Sequence, residues 1–354
     1  MSAMQKKSKT GVLGAELETA SVPVSCDQAQ QIACDHYGLS GRATWLWGEK
    51  DSNFRLMLED GTAYLLKILN PAEDPLVTSM HSLALLHVEE VDPGIPTQRV
   101  ILTRDGAADF RFVADDGSER GVRMVTFAPG VAQRTAPQSP LQRRRVGTML
   151  GRLQKALKSF SHEAASHRIT WDLKHAAGMR EVLPTFDDVH QRTRLENAIE
   201  EFETAIVPIM NTLDAQVIHN DFNMENILVD TTAPDTITGI IDFGDMVHAP
   251  KLFDVGVAAA YQIGDEPDPI TPMCDLIAGY RSECSLSDAE IPLIYKAAVM
   301  RLVMRLCIPR WRARLFPEHA QRLTTQSAGV WAQLARLDAI PRTVAIERLR
   351  GANR

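Results

Sequence analysis

The chain has 354 residues and a formal charge of −7, and its hydrophobic and charged fractions, 45% and 23%, are those of an ordinary soluble globular protein. That length suffices for one large or two medium domains. The absence of any basic run argues against nucleic acid or anionic membrane as the main partner, because both require a positive surface.

Cys26, Cys34, Cys274, Cys284 and Cys307 are scattered, odd in number and form no CxxC pair, so they suggest free thiols rather than a disulfide framework or zinc site. The opening MSAMQKKSKTG is basic but lacks the apolar stretch of a signal peptide, and no window approaches the roughly 18 apolar residues of a membrane span. The expected location is cytoplasmic.

Residues 1–22 read as a polar, poorly ordered tail. Residues 26–38 follow as a short helix ended by Gly38. ATWLWG, SNFRLMLED and AYLLKIL have the pattern of three strands, with turns at Gly48–Asp51 and Asp60–Gly61. Residues 75–90 place Leu76, Met80, Leu83, Leu85 and Leu86 on a helical stripe. Strands are expected at 98–104 and 121–128, separated by a hairpin around Asp115, Asp116 and Gly117. The segment 127–132 reads as a connection, after which the pattern turns helical at 139–160, 192–213, 273–282, 287–308 and 318–335, interrupted by a strand-rich stretch at 216–242. The expected organisation is a small β-rich lobe (23–128) and a larger, mainly helical lobe (129–354) with a cleft between them.

The strongest chemical signal is His219-Asn220-Asp221-Phe222-Asn223-Met224-Glu225-Asn226, followed by Ile241-Asp242-Phe243-Gly244. Both elements end apolar, strand-like runs. A carboxylate five residues before an Asn lets one loop orient a hydroxyl and supply a metal ligand, and a second Asp on the adjacent strand completes an oxygen-ligand site of the kind Mg²⁺ prefers. Phosphoryl transfer asks the protein for placement and charge neutralisation, and this constellation offers both.

The pattern H-x-D-x-x-x-x-N followed by DFG resembles the catalytic and metal loops of the protein-kinase-like superfamily. HND in place of HRD, the short spacing to DFG, and the DFGD…D string are similar to its aminoglycoside phosphotransferase and choline kinase-like branch. WDLKH (171–175) and GIIDFGDMVHAPKLFDVGVAAAY look most like the hydroxylysine-kinase-like group within it. The resemblance implies an α+β, bilobal fold and a kinase that uses Mg²⁺ with ATP or GTP to phosphorylate a small polar hydroxyl-bearing metabolite. Asp221 would be the catalytic base or hydroxyl-orienting group. Asn226, also catalytic, and Asp242 would hold Mg²⁺. His219 and Asp254 would brace the loop.

Gly48, Asp51, Ser52 and Asn53 lie in a turn between strands that resembles the phosphate-covering loop of this branch, although an isolated turn of this kind is an ordinary hairpin. Lys67, a lone charge in Tyr64-Leu65-Leu66-Lys67-Ile68, is on alternation alone equally an outward-facing strand lysine; the resemblance makes it the contact to the α- and β-phosphates. Met124, Val125 and Phe127 fall where the branch sandwiches the purine, and equally suit a plain core. The acidic partner that the superfamily gives this lysine falls near His81, so the partner of Lys67 is left open.

For the acceptor, Asp245, Tyr261, Trp171, Arg301, Arg305 and Trp311 are candidates; an acid would bind ammonium and an arginine a carboxylate. Both types together suit a hydroxylysine-like or homoserine-like acceptor. Alternatives are an aminoglycoside, amino-alcohol or sugar acceptor, or a nucleotide-binding pseudokinase. A protein kinase is disfavoured by the missing A-P-E element and long activation segment. Monomer and homodimer are equally open.

Overall fold

The computed structural model describes residues 24–48, 51–115 and 117–352. The expected tail at 1–22, Glu49 and Lys50 of the first turn, and Asp116 of the hairpin lie outside them.

Helix α1 (Cys26–Ile32) begins at Ser25, whose Oγ accepts from Gln28 N at 3.1 Å while its own N–H donates to Gln28 Oε1 at 3.0 Å. One widened turn, Ala33–Tyr37, carries the chain to Gly38, which stops it in the left-handed region at φ +72°. Strands β1 (Gly41–Leu46), β2 (Ser52–Leu58) and β3 (Ala63–Ile68) follow as antiparallel neighbours. Helix α2 (Pro75–Val91), capped by Asp74 with Pro75 in its first turn, then leads to β4 (Val100–Ile101), β5 (Phe110–Val113) and β6 (Glu119–Thr126). The sheet runs β1-β2-β3-β6-β4, with β5 also on β6.

Two expectations are corrected here. The strand at 98–104 contracts to Val100–Ile101, and the hairpin partner of β6 is instead Phe110–Val113, whose alternating aromatics face Val122 and Arg120 across the pair. In α2 the buried face is Val77, Met80, His81, Ala84, Leu85 and Val88, while Leu76 and Leu83 are exposed. Met80 and Leu85 of the expected stripe are buried, but the face that packs is rotated from it to take in Val77, His81, Ala84 and Val88.

Strand alternation gives the sheet two different faces. Leu66, Ile68, Val122 and Met124 pack with Phe54 and Leu56 beneath α1. Leu65 and Val125 join the larger core on the other face, where Lys67 and Arg123 line the cleft.

Beyond the sheet, Phe127–Gly130 passes to β7 (Val131–Ala132). Gly130 has φ +103°, and a Cβ there would overlap the Val229 carbonyl and Thr238. The remaining chain forms α3 (Pro140–Leu157), α4 (Val189–Ala205), β8 (Ala215–Ile218), β9 (Ile227–Val229), β10 (Ile237–Ile240), β11 (Val247–Pro250), α5 (Lys251–Gln262), α6 (Ile270–Arg281), α7 (Ile291–Leu315), α8 (Ala320–Leu323), α9 (Ser327–Asp338) and α10 (Arg342–Gly351). The short strands pair as β10-β9-β7 and β11-β8, all antiparallel. The last forty residues supply α9 and α10, which bury Val330, Leu334, Leu337, Ala345 and Leu349 in the main core. This is the α+β, two-lobed arrangement that the resemblance implies. Among the described residues no helix is long and apolar enough to cross a membrane.

Among the contacts that tie the lobes together, three join different pairs of elements. Ile240 N donates to Pro96 O at 2.9 Å beside a parallel bridge between Thr97 and Ile240. Arg152 of α3 grips Asp92 after α2 at 3.0 and 2.6 Å, holding that carboxyl below its usual range. Arg322 of α8 lies 4.1 Å from the centre of the Trp47 ring at the end of β1.

Candidate active site

The loop between β8 and β9 is held from below by Asp254 of α5. This fully buried carboxylate accepts from His219 N at 3.0 Å and Asn220 N at 2.7 Å. Burial pushes the Asp254 carboxyl up, opposed by the two amide donors. Those bonds allow Asn220 to sit at φ +64°, a left-handed conformation that non-glycine residues avoid and that Asn tolerates best. His219 donates from Nε2 to Ile241 O at 3.1 Å, while its Nδ1 accepts from Asp221 N at 3.3 Å, so the ring is the neutral Nε2–H tautomer and joins the two loops. Ile241 N also donates to Asn226 O at 2.9 Å. The chain then turns at Asp242, φ +60°, which brings its carboxylate beside the first loop.

Asp221 is fixed on both oxygens. Oδ1 accepts from Arg301 at 2.7 Å, and Oδ2 accepts from Asn223 at 2.7 Å and from Asn226 Nδ2 at 2.8 Å. Asn226 Nδ2 also donates to the Asp221 carbonyl at 3.0 Å, while its Oδ1 accepts no hydrogen bond among the described residues and is not sealed in the interior. Asp242 has a half-exposed side chain. These two hard oxygen donors fit a divalent cation such as Mg²⁺, which takes one or two protein oxygens and completes its shell with phosphate and water.

Lys67 approaches Asp242 Oδ1 at 3.4 Å. Its ammonium, aided by Arg123, holds the Asp242 carboxyl down to about 2. A depressed carboxyl contributes stability above its ordinary pKa of about 4 and loses it only as pH falls through the lowered value, so the pair is intact at neutral pH. The partner of Lys67 left open by the sequence is therefore Asp242, in the second loop; no acid on α2 reaches it. Glu89 instead lies 3.8 Å from Arg99, while the buried His81 and Glu73 line the cleft near Lys67.

All of this borders a cleft of about 320 Å³ lined also by Trp47, Gly48, Asp51, Asn53, Asp245 and Tyr261. A Cβ at Gly48 would overlap the Asn53 side-chain amide and the Asp51 carbonyl, so the turn needs glycine. Asp51 is occupied locally, accepting from Asn70 N at 3.0 Å, and Ser52 is buried beneath it. Val125 is buried on the cleft face, whereas Met124 points to the opposite core, which leaves Met124 only its main chain for any role in the cleft. Phe127 lies under Arg55, 4.7 Å from the guanidinium to the ring centre.

Among acceptor candidates, Asp245, Tyr261, Trp171 and Arg301 line the cleft. Arg305 stands behind them with its guanidinium 4.5 Å from the centre of the Tyr261 ring, and among the described residues its guanidinium donates to Gln333 (3.2 Å) and Gln326 (3.4 Å). Trp311 packs against the helical core and is not among the cleft residues. Arg301 belongs to the catalytic loop rather than to solvent: it is 1% exposed, donates to Trp171 O at 2.8 Å and lies 4.8 Å from that ring. The WDLKH segment thus positions the arginine that positions Asp221. Sequence reasoning also passed over Asn223 and Arg123. Arg123 carried the same signal as Lys67, a lone charge in an apolar strand.

Comparison with known proteins places the chain among its relatives. Residues 46–284, well over half of the chain, match the model of the phosphotransferase enzyme family (APH). Hydroxylysine kinase of Mus musculus is 26% identical over 310 residues, covering 81% of this chain and 82% of its own. Hydroxylysine kinase of Xenopus laevis is 25% identical over 344 residues, covering 91% and 92%. Among solved structures, the amicoumacin kinase hAmiN superposes with a TM-score of 0.65 at 15% identity (90% and 95% of the two chains). A microcompartment-associated aminopropanol kinase gives 0.63 at 19% identity (93% and 99%). The match over residues 46–284 shows that the chain belongs to the phosphotransferase enzyme family.

Proposed function

We propose that this phosphotransferase moves the γ-phosphoryl group of ATP or GTP onto the hydroxyl of a small metabolite bearing both ammonium and carboxylate groups, hydroxylysine-like or homoserine-like. The observation that carries the reading is the convergence of Asp221, Asp242 and Lys67 on one cleft, with Asn226 hydrogen-bonded to Asp221 behind its lining. The hydroxylysine kinase relatives and the aminopropanol kinase neighbour support a small amino-bearing acceptor.

Asp221 carries three donors on its two oxygens, and Oδ1, with one of them, retains a lone pair for an acceptor hydroxyl. It aligns that hydroxyl for in-line attack and takes its proton as the new P–O bond forms and the bond to the β-phosphate oxygen breaks. Lys67 adds positive charge at the phosphates. Mg²⁺ held by Asn226 and Asp242 would supply further neutralisation of triphosphate charge. Asp245 lines the cleft as the anion for an ammonium group, and Arg305, behind the cleft-lining Tyr261 ring, supplies the cation for a carboxylate.

The direct test is nucleotide consumption with Mg²⁺ and either ATP or GTP across 5-hydroxylysine, homoserine, serine, ethanolamine, choline, aminoglycosides and sugars. Turnover confined to acceptors carrying both charges is the expected result. In Arg305→Gln, KM for the amino acid acceptor should rise about tenfold while KM for an amino alcohol lacking the carboxylate stays put. Equal activity on ethanolamine and on amino acids would sink the carboxylate assignment. Nucleotide binding without turnover on any acceptor would favour a binding-only protein.

Arg301 has a distinct expected signature. Arg301→Met should lower kcat about 10²-fold through misplacement of Asp221, with nucleotide KM nearly unchanged. A rise in acceptor KM at unchanged kcat would instead make Arg301 a binding residue.

A further inference from the structure

The cleft holds a cation that the reaction scheme above leaves without a task. Arg123 on β6 is the direct cross-strand partner of Lys67 on β3, so the two side chains leave the sheet on the same face and enter the same cleft. Two like charges placed opposite one another oppose folding unless anions lie between them. Arg123 is also 3% exposed, and an arginine cannot relieve burial by shedding its proton at physiological pH.

A structural arginine in such a position is normally tied off by carboxylates or carbonyls. Arg123 is not. Its Nε is buried without a hydrogen-bond partner, and among the described residues no carboxylate lies within ion-pair distance of its guanidinium. The acids that act on it through space are Asp242, Asp51, Glu73 and Asp109. Asp242 is already engaged by Lys67, and Asp51 by Asn70 N. Burial pushes the guanidinium pKa down, and Asp242 opposes that shift most strongly.

We propose that Arg123 is a second polyphosphate-binding cation, which donates to non-bridging oxygens at the α/β end of the nucleotide beside Lys67. The proposal rests on the nucleotide-dependent reading above. A guanidinium presents paired donors that match phosphate oxygens, whereas the lysine ammonium acts as a point charge. The pairing also gives sense to His81 on the adjoining face of α2. A carboxylate there would neutralise the two cations in the free protein, while a buried histidine leaves their charge for the ligand.

The experiment is calorimetric titration of the full chain with ADP, ATP and the parent nucleoside, with melting curves of the free proteins, for wild type, Arg123→Met and Arg123→Lys. Arg123→Met should raise Kd for ADP and ATP by about tenfold or more and leave nucleoside affinity within about twofold. Its free form should melt at or above the wild-type temperature, because an apolar side chain of similar size replaces a buried charge without a partner. Arg123→Lys, which keeps the charge and loses the fork, should fall between the two in ADP affinity. Unchanged ADP binding in either folded variant overturns the proposal, and so does a loss shared equally by the nucleoside. Arg123→Met melting well below wild type, with Arg123→Lys binding ADP normally, makes Arg123 structural and likewise overturns it. Wild-type protein that binds no nucleotide overturns this proposal and the kinase reading together.

Discussion

Asp221→Asn is expected to lower kcat by about 10²–10⁴-fold while nucleotide affinity changes little. The substitution keeps the shape of the side chain and removes its negative charge, so it isolates alignment and proton acceptance from packing. Three donors converge on Asp221: Arg301 at 2.7 Å, Asn223 at 2.7 Å and Asn226 at 2.8 Å. A neutral amide cannot accept from all of them, because its NH₂ would face donors on one side. The variant should therefore also lose about 1–3 kcal/mol of stability, as the buried Arg301 guanidinium faces a neutral group. Steady-state kinetics with a thermal melt separate the two effects. A folded variant with near-normal turnover would remove Asp221 from the reaction.

Asp242→Ala should abolish metal-dependent nucleotide binding and reduce kcat/KM by on the order of 10³-fold or more. The free protein supplies a second readout. Asp242 is the group paired with Lys67, and its ionisation is favoured by that pair. Removing it frees the ammonium and takes an anion away from the phosphate position. In the presence of a chelator the variant should bind nucleotide at least as tightly as wild type, although it is far weaker with Mg²⁺ present. Equal metal dependence in the two proteins would show that Asp242 is not a ligand.

The two loops that carry Asp221, Asn226 and Asp242 were legible in the sequence because their pattern is local: Asp221 and Asn226 share one loop, and Asp242 follows a short hairpin. The two-lobed division was legible because strand and helix periodicities occupy different halves of the chain. What could not be read depends on pairings between distant segments. Lys67 and Asp242 meet across 175 positions, and Arg301 and Asp221 across 80. Strand β5 was missed because its four residues are too short for alternation to stand out. The buried stripe of α2 was misread because apolarity alone favoured Leu76 and Leu83, whereas the face chosen by packing contains His81 and Ser82. Arg123 shows a different failure. Its isolation in an apolar strand was visible, but the register that sets it opposite Lys67 required the sheet.

The backbone bond from Ile240 to Pro96 lies two residues before Asp242 and joins the lobes at the rear of the cleft. That stitch ties the small lobe to the strand that leads directly into Asp242, whereas the Trp47–Arg322 contact joins the lobes through other segments. Asn226 and Asp242, the residues proposed to hold the metal, both belong to the helical lobe, so the spacing between them is independent of the angle between the lobes.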